Sequence, residues 1–439
     1  MTLRSSCLLR DRDEKASWKV TFVKPLVAWV IYDWANNSFA TIVLTFVFAA
    51  YFSRQVAPEV TYGTALWGTA LGVGGIFVAV LAPILGATAD QMGRTKAWIA
   101  VFTAVCVLAT ALLWFIEPSP SYMIPALLLV VVGMIGSEFA NIFYNAMLPR
   151  LADAEHLGRW SGWAWSAGYA GGLACLVAAL LLLVQGNSWI SLDRGSYQHV
   201  RATCLLAAAW YAVFALPLFL KTPDIGPRKS TAVAFRDGLR QLRETFRSLR
   251  RYRNIVRFLI ARLIYIDGLG SLFVFGGVYA AGTFAMNEQE VLAFGIAINA
   301  TAGLGALGFA WVDDWIGGKP TIMLSLLALI VFGSALLLIE SQLLFWILAL
   351  SLGLFVGPVQ AASRSFMARI SPAEIRNEAF GFYAFSGKAT AFVGALLVGW
   401  LTQYSESQRI GMSVIIVLFM IGFLLMMRVP SDRSNAQLD

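Results

Sequence analysis

Residues Val27 to Phe52 read VAWVIYDWANNSFATIVLTFVFAAYF. The stretch is apolar and long enough to cross a bilayer, which takes roughly 20 helical residues, yet Asp33, Asn36 and Asn37 stand near its middle. On a helix these are positions i, i+3 and i+4, so they share one face, and Thr41 extends that face by a further turn. A span with a single polar stripe turns the stripe toward protein or water and its other sides toward lipid.

The whole chain has the same character. Of its 439 residues 59% are hydrophobic and only 13% charged, against about 25% charged in soluble domains. Reading apolar windows along it gives about twelve candidate spans, near 26–52, 63–85, 97–116, 123–147, 161–184, 202–220, 256–283, 290–312, 320–339, 342–363, 379–403 and 409–428. The expected fold class is an all-α polytopic membrane protein. The N-terminal segment MTLRSSCLLRDRDEKASWK is charged and has no apolar core, so it does not read as a cleaved signal peptide, and the first span is expected to direct insertion. Lys and Arg crowd one set of loops, including a dense run from Lys221 to Arg257, whereas Arg54, Arg194, Arg201 and Arg409 fall in the other set. The positive-inside rule then places both termini in the cytoplasm, with an inner-membrane location expected. The net charge of +8 follows from this topology and does not argue for a nucleic-acid partner. Cys7, Cys106, Cys175 and Cys204 lack metal-ligand spacing, and His156 and His199 fall on opposite sides, so no metal or other cofactor is expected.

The chain divides at residues 222–254 into an N-terminal bundle, 1–221, and a C-terminal bundle, 255–439, of six spans each. Within the divider Phe235, Leu239, Leu242, Phe246 and Leu249 recur at helical spacing among arginines, a basic amphipathic helix that would lie on the inner membrane surface or latch the halves together. The two halves look duplicated. Asp90 and Gly93 after the second span recur as Asp314 and Gly317 after the eighth, and Gly162 and Gly168 recur as Gly381 and Gly387 at nearly the same separation. An acid stands in the first span of each half, Asp33 and Asp267.

The segment GATADQMGRTKAW supplies Gly86, Asp90, Gly93 and Arg94 in the spacing of the major facilitator loop signature, which implies a tight turn at Gly93 and an acid that meets a partner in one conformation only. The second copy has Gly318 in place of the first cation and Ala310 in place of the first glycine, so it is expected to keep the turn and lose part of an ionic lock. IYDWANNSFATIV, FYNAMLPRLADAEHLGRWSGWAWSAGYAGGL, LIYIDGLGSLFVFGGVYA and GPVQAASRSFMARISPAEIRNEAFGFYAFSGKA together resemble the "unknown major facilitator" family, which includes fungal vacuole effluxers linked to autophagy. The resemblance implies a major facilitator fold in two pseudo-symmetric six-helix bundles and export of amino acids or similar metabolites. An antiporter motif of the fifth span is half present: Gly171 and Gly172 are there, and Gly168 stands where its proline is expected.

Asp33, Glu138, Arg262, Asp267 and Lys388 fall inside spans, where a lone charge costs about 2.5–3.5 kcal/mol on lenient scales. In the facilitator fold spans one, four, seven and ten line the cavity. Glu138, Asn141 and Asn145 make a stripe on span four, Gln360 stands near the inner end of span ten, and Asn299 lies on span eight. Asp33, Asn36, Asn37, Glu138, Asn141, Asn145, Asp267, Asn299, Gln360 and Lys388 are the expected substrate and proton pathway. Lys388 could equally hold a structural ion pair across the halves, and Arg262 and Asp267 are set too far around one helix to pair. Three acids against two bases leave one acid over, and Asp33 or Glu138 is expected to be the unpaired group that carries a proton. Gly86, Asp90, Gly93, Arg94, Asp314, Gly317 and Arg364 are the expected gating residues. A monomeric secondary transporter of a small polar or zwitterionic metabolite, amino acid-like and coupled to protons, is the leading expectation; the mixed charges also suit an organic anion travelling with a proton. The alternative is a transporter-derived sensor that binds a partner through the central amphipathic helix. No nucleotide loop, zinc pattern or Ser-His-Asp arrangement supports an enzyme.

Overall fold

The computed structural model describes residues 24–184, 192–223, 230–247 and 251–431. Among these residues twelve helices are long and apolar enough to span a membrane: α1 (Lys24–Val56), α2 (Tyr62–Met92), α3 (Thr95–Phe115), α4 (Pro120–Leu151), α5 (Ala154–Val184), α6 (Gln198–Lys221), α7 (Arg253–Phe284), α8 (Gln289–Ile316), α9 (Gly318–Leu338), α10 (Gln342–Ile370), α11 (Ala373–Ser405) and α12 (Gln408–Met427). All twelve expected spans are present. Helices α2, α4, α8 and α10 run several residues past the ends expected from hydropathy, because the polar segments there stay hydrogen-bonded as helix and pack against the other half.

Connections at one end are short and basic. Gly93 turns the chain at φ 76°, and Gly317 alone joins α8 to α9 at φ 97°. Glycine takes such positive φ without the strain a β-carbon would bring. We refer to this as the basic end. Here α2 crosses α11 and α5 crosses α8, and these two contacts join the halves. A β-carbon on Gly381 of α11 would lie 2.5 Å from the Ala82 carbonyl oxygen of α2, and one on Gly162 of α5 would lie 2.6 Å from that of Ala306 on α8. The duplicated glycines therefore make the two pseudo-symmetric crossings. At the opposite end the helices part: Gly68, Gly72 and Gly75 of α2 and Gly399 of α11 have no atom within 4 Å of an added β-carbon.

The helix Thr231–Arg247 docks beneath the basic end against α2. Its docked face carries Ala234, Gly238, Gln241 and Thr245, where a β-carbon on Gly238 would lie 2.8 Å from the Thr88 nitrogen. This differs from the expected apolar stripe. Phe235 and Leu239 remain exposed because the close approach to α2 requires small residues. The side chain of Phe246, and Leu249, lie outside the described residues, as do residues 1–23 with Cys7.

Candidate functional site

The polar stripe of α1 faces the centre of the molecule. Directly beyond it, residues Ala40–Phe46 wind as a π-helix, a wider turn that re-aims the following side chains. Asn36 donates to Asn141 Oδ1 of α4 at 2.8 Å, and Asn37 donates to its own helix at the Asp33 carbonyl, 3.1 Å, and to Asn36 Oδ1, 3.2 Å. The glycines of α5 let this face come close: added β-carbons at Gly168, Gly171 and Gly172 would collide with Asn37, Trp34 and Thr41. Gly168 thus makes room for an amide where a proline would stand in the antiporter motif.

Two ion pairs cross between the halves at the central cavity. Arg364 of α10 meets Asp33 at 2.9 Å and also donates to Asn145 Oδ1 at 3.2 Å, the Ser161 hydroxyl at 2.9 Å and the Ser161 carbonyl at 2.6 Å. Its guanidinium lies 4.9 Å from the ring centre of Trp29, 5.6 Å from that of Trp165 and 5.8 Å from that of Tyr144. Lys388 of α11 meets Glu138 of α4 at 2.7 Å, and both are part-exposed to a cavity of about 290 Å³. That cavity is lined by both pairs, by Asn36, Asn37, Asn141 and Asn145, by Arg262, and by Gln360, which donates to Tyr169 Oη at 3.0 Å.

Three sequence expectations change. Arg364 lies 3% exposed in the central cluster and does not take part in the loop network. Counting only five charges inside spans left Arg364 out, and with it included both Asp33 and Glu138 are paired. Of the three acids counted inside spans, Asp267 is the one that meets a backbone donor in place of a cation: it accepts from the Gly394 N–H at 2.9 Å and keeps Oδ1 unsatisfied. Asp267 and Asn299 also lie outside the lining of the central cavity. Asn299 donates to the Gly295 carbonyl of its own helix at 2.8 Å and lines a larger, mostly apolar cavity of about 730 Å³ between α1 and the C-terminal half.

The basic end is closed by the loop motifs. Asp90 accepts from the backbone N–H groups of Asn377 (3.1 Å) and Glu378 (2.9 Å) and from Asn377 Nδ2 (2.7 Å), so it meets the first turn of α11. Gly86 lies against the Asn377 carbonyl. In the second copy Asp314 accepts from the Arg159 N–H at the start of α5 (3.0 Å) and pairs with the Arg159 (3.4 Å) and Arg369 (3.7 Å) side chains. The adjacent Asp313 pairs with Arg369 at 2.6 Å and accepts from the Ser365 hydroxyl. Far from losing its ionic lock, the degenerate copy holds the denser one. Its cations come from α5 and from the end of α10, away from the signature itself. The Asp313-Asp314 doublet was the available sequence signal. Nothing in the residue spacing marked Trp29, Tyr144 and Trp165 as partners of Arg364.

Among the described residues, twelve helices of spanning length cross in two pseudo-symmetric sets bridged by charged pairs, and the fold and the family together are those of a major facilitator secondary transporter and not of an enzyme. Residues 63–439 match the family described as "Vacuole effluxer Atg22 like", and the chain belongs to that family. It is 28% identical over 420 residues to the MFS-type transporter YxiO of Bacillus subtilis, covering 94% of this chain and 96% of YxiO. It is 21% identical over 386 residues to autophagy-related protein 22 of Saccharomyces cerevisiae, covering 75% and 70% of the two chains. Among solved structures, the transporter FucP in its outward conformation superposes with a TM-score of 0.74 at 12% identity, covering 93% of this chain and 99% of FucP. The human organic anion transporter MFSD10 superposes with a TM-score of 0.71 at 15% identity, covering 92% and 99%.

Proposed function

We propose that this transporter exports a small zwitterionic metabolite of the amino-acid class across a bacterial inner membrane, in exchange for protons, by rocking the unit 1–221 against the unit 255–439. The observation that carries the reading is the central cavity, about 290 Å³, with an acid and a base of each inter-half pair on its wall. A substrate ammonium competes for Asp33 or Glu138 while its carboxylate competes for Arg364 or Lys388, so a zwitterion loosens both contacts between the halves at once. A ligand moves such an equilibrium only through differential affinity for its two states, and these contacts supply it. The direction follows the effluxer name of the family.

By the positive-inside rule the basic end is cytoplasmic and carries both termini. The arrangement of the helices then corresponds to a monomer closed to the cytoplasm and parted toward the outside. Segment 222–254 spans the two units as a cytoplasmic connector.

The test is transport by the purified chain in proteoliposomes loaded with single labelled amino acids, with and without an imposed pH gradient. Efflux that responds to the gradient is expected, together with at least a tenfold loss in Arg364→Ala, which leaves Asp33 without its cation. Absence of movement for every amino acid, or equal transport by Arg364→Ala, sinks the reading.

A further inference from the structure

Helix α11 is not continuous. It runs as a helix from Arg376 to Lys388, breaks over Ala389 to Phe392, and resumes from Val393 to Ser405. Each side of the break is held by a charged residue of α7. Arg262 donates to the Tyr383 carbonyl and the Ser386 hydroxyl, both at 2.6 Å, near the C-terminal end of the first half-helix, and its guanidinium stacks 3.5 Å from the Tyr383 ring centre. Asp267 accepts from the Gly394 N–H, one of the orphan donors in the first turn of the second half-helix. A cation thus meets the negative end of one half-helix and an acid the positive end of the other, the two favourable charge and dipole arrangements.

Asp267 is 3% exposed and Ser271, one turn along α7, is 1% exposed. Asp267 Oδ1 and Ser271 Oγ have no hydrogen-bond partner, although buried polar atoms in proteins are almost always satisfied. Both atoms close on the same glycine: a β-carbon on Gly394 would be 3.1 Å from Asp267 Oδ1 and would collide with Ser271 Oγ. The charges nearest in the fold are otherwise engaged. Arg262 holds α11, Lys388 holds Glu138, and Arg364 of α10 holds Asp33, while α12 presents Leu418 and Phe419 against Gly268, the neighbour of Asp267.

We propose that Asp267 binds the coupling proton and that its occupancy sets the bend of α11. With the carboxylate ionised, Asp267 caps the second half-helix and holds it against α7. A proton on Oδ1 removes the charge, weakens the cap and frees Val393–Ser405, the part of α11 toward the open end, to swing. This inference rests on the proton-coupled reading of transport and places the coupling group apart from the substrate cavity, so substrate and proton act on different points of one helix.

The first measurement needs no substrate. Infrared difference spectra of the purified full-length protein between acidic and neutral pH should contain a protonated-carboxyl band that is missing from Asp267→Asn. The same band should shift in Ser271→Ala, which keeps the carboxyl and removes its neighbour, and this variant serves if Asp267→Asn fails to fold. In proteoliposomes Asp267→Asn should retain substrate exchange at equal pH on both sides while gradient-driven accumulation falls to the level seen without a gradient. An unchanged band in both variants overturns the proposal, as does full gradient-driven accumulation by Asp267→Asn. So does a wild-type band removed by sodium chloride and kept in choline chloride, which would make the ligand a sodium ion. Failure of every amino acid to move would defeat the substrate assignment and leave the infrared result standing.

Discussion

The two copies of the loop motif close the same end of the molecule by different means. Asp90 faces neutral donors, two backbone N–H groups and the Asn377 amide, and the neighbouring Glu378 accepts from Gln241 of the docked helix at 2.5 Å, while Gln91 donates to Gln241 Oε1 at 2.5 Å. Asp313 and Asp314 face the guanidinium groups of Arg159 and Arg369. One crossing is therefore stitched to the connector between the halves, and the other is an ionic cluster built within the two bundles. A motif that matches its signature less well has not become a weaker contact. Its partners moved to positions that the signature does not cover.

The largest expected effect comes from removing the cation of the ionic copy. Arg369→Ala takes from Asp313 its paired cation and leaves Asp314 with Arg159, and breaking a buried pair from one side typically costs about 3–5 kcal/mol. The cost falls on the closed conformation. Hydrogen exchange in Ala154–Gly162 should accelerate by at least tenfold, with little change across the Asp90 crossing; uniform acceleration at both crossings would show that they do not act separately. A smaller effect is expected from Asp90→Asn. An amide oxygen still accepts from one backbone N–H, so the loss is on the order of 1–3 kcal/mol for the unsatisfied donors. Here the docked helix should respond, since its contact with Glu378 adjoins the lost bonds. Limited proteolysis within 230–247 should become faster in Asp90→Asn and stay unchanged in Arg369→Ala. The reverse pattern would contradict the assignment of the connector to the Asp90 crossing.

Much of the architecture was legible because apolar length marks a span whatever it packs against, and all twelve spans could be placed on that ground. The spacing of Asp33, Asn36 and Asn37 gave the polar face of α1, since three residues on one helix obey local geometry. Pairing was less accessible. Arg364 lies 331 positions from Asp33, and only the crossing of α10 with α1 and α5 brings them together. Its place near the inner end of α10 suggested a gate, whereas its length carries the guanidinium to the centre. The break in α11 was also hidden, because 379–403 reads as one continuous span and the grip of Arg262 and Asp267 on its two halves comes from another helix.

The smallest expected effect tests whether the outer face of the docked helix belongs to the closure at all. Arg240 pairs with Glu244 at 3.0 Å, one turn apart, and both side chains are well exposed. Pairs of this kind are typically worth below about 0.5 kcal/mol because water screens them and two long side chains lose freedom. Arg240→Gln should therefore leave the melting temperature within error of wild type and transport unchanged, in contrast to Gln241→Ala one position along, which removes the bonds to Gln91 and Glu378. Should Arg240→Gln slow transport as much as Gln241→Ala does, the arginine face would have to be engaged by something other than the bundle, and the connector would be more than a stitch on the Asp90 side. Equal silence of both variants would remove the connector from the closure and leave the ionic copy as the dominant lock.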